Sequence, residues 1–148
     1  MVLSPDDPDS VSAGSFFTNP IVSGGFAATL PSGAPRWPVE PDLSEPLVVP
    51  LESFTPGELA FRQPQAQPEK GAVKLSAAWL IEHSGVTRGF SLPGSGAAVS
   101  AKHTLALVNR GSATASDIAE LARYVQSRVL NQFGVILQPE PVLVGVQL

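Results

Sequence analysis

The chain contains no cysteine. That excludes disulfide frameworks, thiolate metal sites and cysteine nucleophiles, and it fits a reducing compartment. Histidine is almost as scarce, with only His83 and His103, and neither has a second His or carboxylate at metal-ligand spacing. No metal site is expected. The nine Lys and Arg residues are scattered singly in a chain of net charge −4, so no basic stripe exists to follow a phosphate backbone, and nucleic acid is not an expected partner. No apolar run approaches the roughly 20 residues of a membrane span. The first nine residues carry three aspartates where a signal peptide needs a basic start and an apolar middle. A soluble, cytoplasmic domain without membrane partners is the expectation.

What is present suffices for one core. The 148 residues are about one domain's worth of chain, and 43% hydrophobic content against 15% charged argues for a folded interior. The distribution is uneven. Nine of the fifteen prolines fall between Ser23 and Ala72, where apolar residues show neither the helical nor the strand period. Each proline fixes φ and removes a backbone donor, which forbids a long helix or a central strand there. Residues 23–72 are therefore expected to form an irregular proline-rich insertion, draped outside the domain and partly mobile.

From Val73 onward the pattern becomes regular. "KLSAAWLIEHSG" offers Ser76 as a cap, good helix formers and Gly85 as a stop, predicting a short helix over roughly 76 to 84. "HTLALVNRG" alternates as a strand ending in a turn. In "SATASDIAELARYVQSRVLNQFG", Thr114 and Asp117 resemble a capping box. Ile118, Leu121, Ala122, Val125, Val129 and Phe133 share one face, and Gly134 ends the run. That face is core, not chemistry. "VIL" and "PVLVGVQL" read as two short strands flanking Gln138-Pro139-Glu140-Pro141. The sum is an α+β domain: a small mixed sheet packed by one long and one short helix.

Candidate chemistry is sparse. "GSGAAV" at 94–99 imitates a dinucleotide fingerprint, but it follows no convincing strand and precedes no adequate helix, so a loop is the better reading. His83, near the end of the short helix, suits a structural role facing the helix dipole. His103 opens a strand beside Lys102, at a loop-to-strand position where ligand contacts occur. Glu140 stands between two prolines that stiffen its backbone, as an aimed carboxylate or simply as part of a rigid turn. Ser15, in "AGSFFTNPI", is either a turn hydroxyl over a buried Phe pair or a fixed proton donor beside a cleft.

Five phrases in order, "GSFFTNPIV", "VKLSAAWLIEHSGVTRGF", "AAVSAKHTLALVN", "ATASDI" and "FGVILQPEPVLVG", resemble the C-terminal domain of the UDP-N-acetylenolpyruvoylglucosamine reductase (MurB) family. The resemblance covers about 8 to 22 and 73 to 148, and its "PEPVLVG" ending is similar to actinobacterial members. It implies a flavoenzyme of peptidoglycan precursor synthesis. NADPH reduces FAD, and the reduced flavin delivers hydride to the enolpyruvyl double bond of a UDP-sugar, giving UDP-N-acetylmuramate. By the same resemblance, Ser15 is the proton donor and Glu140 assists at the substrate carboxylate. Asn19 helps hold the UDP portion, and Arg88 and His103 stand where the family has substrate-side residues.

The pattern departs in places. Thr18 replaces a common lysine, and Glu140-Pro141-Val142 replaces a common Glu-Val-Arg, so one cationic contact is missing. The FAD-binding domain is not among these residues, nor is a phosphate cradle for it. Residues 1–148 are expected to be the single substrate-binding domain, which on its own should hold no FAD or NADPH and not turn over. Its partners would be the UDP-sugar and the FAD-binding domain. The competing reading is a non-catalytic module of the same fold that binds a nucleotide sugar or a protein.

Overall fold

The structure, a computed structural model, describes residue 9, residues 12–39 and 71–142, and residues 145 and 148. Its elements in chain order are β1 (Ser12–Ser15), β2 (Ile21–Ser23), α1 (Gly24–Thr29), β3 (Arg36–Pro38), β4 (Ala72–Leu75), α2 (Ala77–His83), β5 (Ala97–Val99), β6 (Ala106–Asn109) and α3 (Ala115–Phe133). The class is α+β, as expected. The sheet is not the one expected. Two three-stranded sheets form, ordered β1-β6-β5 and β2-β4-β3, and every pairing among the described strands is antiparallel. The cause is topological. α1 does connect β2 to β3 as a parallel crossover would, but β4 inserts between them and pairs antiparallel with both. The second helix, α2, leads from one sheet to the other, so it too creates no parallel pair.

The long helix starts and stops where its sequence signals stand. Thr114 Oγ1 accepts the Asp117 N–H at 3.2 Å, and the Asp117 carboxylate accepts the Thr114 N–H at 2.7 Å, a reciprocal capping box. Gly134 closes the helix in the left-handed conformation. Leu121, Ala122, Val125 and Val129 are fully buried, and Ile118 and Phe133 pack half-buried against the same core. In the short helix, Ser76 Oγ accepts the Trp79 N–H and Leu80 and Ile81 are buried. The two helices are tied by one side chain: Arg128 of α3 donates from Nε and Nη2 to the Ser84 carbonyl, at 2.9 and 2.7 Å. A cation there satisfies an otherwise orphaned helix-end carbonyl.

The described ends of the proline-rich stretch are more ordered than its composition suggests, so the expectation of an irregular insertion over 23–72 needs correction there. Residues 24–38 hold α1 and β3, and Ala27, Leu30 and Ala34 are buried. The prolines lie where they do no harm: Pro31 follows the helix, and Pro38 lies in an edge strand, where a missing donor breaks no inner ladder. Residues 40–70 lie outside the described residues. The strand expected in "VIL" is also corrected, because residues 135–137 are extended but belong to no ladder. They are held instead by a side chain, Gln126 Nε2 donating to the Leu137 carbonyl at 2.8 Å. Pro139 and Pro141 have no N–H with which to propagate pairing. Most of "PVLVGVQL" lies outside the described residues.

Gly94-Ser95-Gly96 is a loop entering β5, as the sequence reading favoured. A Cβ on Gly96 would sit 2.5 Å from the Ala113 backbone N and 2.6 Å from Ser112 Oγ. The glycine is thus required by packing against the loop before α3. Gly96→Ala should lower stability by about 1–3 kcal/mol, as overpacking does, measured by urea unfolding; an unchanged midpoint would refute this. The capping box makes a second, pH-dependent prediction. Hydrogen bonds from the Thr114 hydroxyl and then its backbone N–H hold the Asp117 carboxyl below the ordinary aspartate range. A depressed folded value stabilises the fold above the unfolded value, and that stability is lost as pH falls through the folded one. Comparing urea midpoints between about pH 6 and about pH 3, Asp117→Asn should remove part of the acid loss seen in the native chain.

Candidate active site

The site is built around two buried aromatic rings. Phe16 and Phe17 are in the core and meet edge to face, with centroids 5.1 Å apart. Ser15, directly before them, is the last residue of β1 and is exposed. The strand carries a register irregularity between Ser12 and Ser15, and Gly14 lies inside it at φ +82°, a conformation that glycine adopts without strain. Buried rings on one side and the pairing with β6 on the other fix the backbone that carries Ser15.

Three separate segments converge here through backbone hydrogen bonds. Ser15 lies opposite Ala106 of β6, and the Phe16 N–H donates to the Leu105 carbonyl at 2.7 Å. The Phe16 carbonyl accepts the Glu140 N–H at 2.9 Å, and the Thr18 N–H donates to the Gln138 carbonyl at 3.0 Å. The Pro-Glu-Pro segment therefore runs alongside the serine loop, with Phe17 bridged to Pro139. Ser15 and Glu140 are both exposed, and they are joined across one intervening peptide. His103 sits in the connection between β5 and β6, exposed, with its carbonyl accepting the Ala106 N–H at 3.1 Å. Because Ala106 faces Ser15, that turn stands at the same end of the first sheet.

Arg88 reaches the same end from the far edge. Its neighbour Gly89 donates its N–H to the Val99 and Ser100 carbonyls, where β5 finishes. The Arg88 side chain makes an exposed ion pair with Glu82 at 3.5 Å. Asn19 is placed differently: its Oδ1 accepts the Ala77 N–H at 2.9 Å, satisfying a free donor at the start of α2. Backbone bonds thus bring the Ser15, Glu140 and His103 segments to one end of the first sheet and tie the residue after Arg88 to the end of β5, whereas the oxygen of Asn19 is occupied by a helix end. His83 is structural, as read: its ring stacks on Trp79 at 3.8 Å and its Nδ1 lies 2.9 Å from the Trp79 carbonyl.

Sequence reasoning missed Asp9 and Ser100. Asp9 is 1% exposed, and its Oδ2 accepts the Ser100 hydroxyl at 2.7 Å and the Ala101 N–H at 3.0 Å. The Ser100 Oγ in turn accepts the Lys102 and His103 N–H groups, at 3.0 and 3.2 Å. No sequence signal separates Asp9 from the other aspartates near it, since its partner lies 91 positions away.

The sequence of the chain matches known proteins. The family model described as UDP-N-acetylenolpyruvoylglucosamine reductase, C-terminal domain, matches residues 6–144. The chain belongs to that family. Among its relatives are proteins named UDP-N-acetylenolpyruvoylglucosamine reductase from Leifsonia xyli subsp. xyli, 58% identical, from Saccharopolyspora erythraea, 48% identical, and from Corynebacterium jeikeium, 44% identical. Each alignment takes in 100% of this chain but only 38%, 35% and 34% of the respective relative. The chain spans about a third of the length of the curated relatives it matches. The Gly-Ser-Gly loop leads into a strand, not a helix N-terminus, and its second glycine is packed against residues 112–113. No described helix is long and apolar enough to cross a membrane.

The position of Asn19 makes a prediction that separates its two possible duties. Asn19→Ala should cost about 0.5–1.5 kcal/mol, the net worth of one hydrogen bond, in thermal or urea unfolding. Asn19→Asp keeps the acceptor and adds a charge that the start of α2 favours, so stability should be retained. If Asn19→Asp nevertheless loses affinity for a UDP-sugar in calorimetric titration, the side-chain NH2 serves the ligand. Unchanged stability in the Ala variant would show that the helix-end bond contributes nothing.

Proposed function

We propose that this domain binds UDP-N-acetylenolpyruvoylglucosamine and supplies the proton for its reduction to UDP-N-acetylmuramate, within a longer cytoplasmic enzyme of peptidoglycan precursor synthesis that uses NADPH and FAD. The FAD-binding domain belongs to the part of such an enzyme beyond these residues, and the flavin supplies the reducing equivalents. One observation carries the reading. Phe16 has its N–H and its carbonyl both engaged, by Leu105 and Glu140, so the backbone of Glu140 runs beside the exposed Ser15, which supports a joint role for the two residues.

The chemistry asks for this pairing. Reduction adds two hydrogens across the enolpyruvyl double bond. One reaches the carbon that carries both the ether oxygen and the carboxylate, where negative charge develops and must be quenched by a proton. A site that excludes water needs a positioned donor for it. A hydroxyl is normally a poor acid, but the carbanion is a far stronger base, and polar neighbours stabilise the alkoxide left behind. In this reading Ser15 donates that proton, and Glu140 assists beside the substrate carboxylate. His103 and Arg88 are proposed to bind the substrate, and Asn19 to contribute its NH2 toward the UDP portion.

The test uses the full-length reductase. Ser15→Ala should slow consumption of the enolpyruvyl substrate by the reduced enzyme about 10²- to 10⁴-fold, the usual size of a general-acid contribution. Reduction by NADPH and the substrate dissociation constant should stay near those of the native enzyme, because the interaction strengthens only in the transition state. Glu140→Gln should divide the two half-reactions in the same way. A loss confined to the NADPH step, or weaker substrate binding with normal turnover, would place the chemistry elsewhere.

A further inference from the structure

We infer that Asp9 is a positioning residue for substrate binding, acting through Ser100 to fix the turn that carries His103. The inference rests on the proposed site at Ser15 and Glu140. A buried carboxylate is costly unless hydrogen-bonded, and Asp9, 1% exposed, spends one oxygen on two partners in a single turn, the Ser100 hydroxyl and the Ala101 N–H. Ser100, itself fully buried, then accepts from Lys102 and His103. Three successive peptide N–H groups, from 101 to 103, are thereby oriented by one carboxylate and one hydroxyl.

A connection of this length between two antiparallel strands can be closed by its own turn bonds, as the Ala106 N–H to His103 carbonyl bond already does. Stability of the hairpin alone does not call for a carboxylate brought from 91 residues away. What that carboxylate adds is a defined direction for residues 101–103. These residues stand at the end of the sheet where Ser15 faces Ala106, so a shift in the turn moves His103 relative to the hydroxyl and to any substrate between them. Both ends of this arrangement come from one short piece of chain. Asp9 sets the turn, and six positions later Ser15 presents the proton.

The distinction from a merely structural role lies in which kinetic constant moves. In the full-length reductase, Asp9→Ala should raise KM for UDP-N-acetylenolpyruvoylglucosamine roughly ten- to a hundredfold, the scale of loss that follows small misplacements, with kcat little changed. Asp9→Asn keeps an acceptor oxygen and should restore KM to near the native value. Ser100→Ala should reproduce the Asp9→Ala effect, and it carries the test if Asp9→Ala does not fold. In the full-length reductase, amide exchange at Ala101 and His103 should quicken in Asp9→Ala, a readout independent of turnover. Combined with His103→Ala, the Asp9→Ala change should add little further loss, because the two act as one unit. A folded Asp9→Ala or Ser100→Ala enzyme with native KM, alongside a Ser15→Ala enzyme that shows its own loss, would overturn this inference and leave the site reading intact. If instead Ser15→Ala is silent, the site reading falls. Asp9 is then judged on amide exchange and on calorimetric substrate affinity, where unchanged values in the Ala variant overturn it.

Discussion

The backbone of Phe16 is the junction on which the site depends. Its N–H is bonded to Leu105, its carbonyl to Glu140, and its ring is in the core against Phe17. The prolines around Glu140 make that junction specific. In Pro139-Glu140-Pro141 only Glu140 has an N–H to give, so the prolines exclude a one-residue slip of the C-terminal segment along the serine loop. A slip by one residue would offer the Phe16 carbonyl a proline nitrogen and leave it unpaired in a largely buried setting, at a cost of about 1–3 kcal/mol. The stiffness of that segment thus does more than shape a turn. It sets the backbone of Glu140 against that of Phe16, 124 positions earlier.

The helices supply the wall behind this junction. The apolar face of α3 packs on the first sheet and on α2, and Arg128 closes the end of α2 by gripping the Ser84 carbonyl. At the other end of α2, the oxygen of Asn19 satisfies the Ala77 N–H. The loop that holds Ser15 is therefore joined directly to a helix N-terminus. Rigid elements hold the rings, while the polar groups available for chemistry sit on the connections between them, where solvent and ligand can reach. Ser15 ends a strand, His103 lies in a turn, Arg88 follows a helix, and Glu140 lies in an extended tail.

Local signals were reliable where one stretch of chain satisfies its own needs. The capping box at Thr114 and Asp117, the apolar face from Ile118 to Phe133 and the Gly134 stop are all settled within α3, and each appears in the structure as read. Ser76 and the short helix behave alike. Proline density misled for a related reason: it reports what backbone geometry is forbidden, not whether Ala27, Leu30 and Ala34 find a core to enter. The extended run Val135–Leu137 has a strand's composition, but a strand also needs a neighbour with free donors and acceptors, and none pairs with it there.

The residues of the site divide in the same way. Ser15, Glu140 and His103 were singled out because they belong to phrases whose order along the chain resembles one family. Asp9 was not legible. By sequence it is one acidic residue among prolines and serines, and only folding brings its carboxylate within 2.7 Å of Ser100 Oγ. Helix caps, periodic faces and the donor-free prolines around Glu140 are properties of neighbouring residues, so the sequence determined them alone. The two antiparallel sheets, the bonds from Phe16 to Leu105 and Glu140, and the buried Asp9 network depend on contacts between distant segments. Only the tertiary structure could decide those, because a hydrogen bond across a hundred residues exists only once the core has paid the entropy of bringing its ends together.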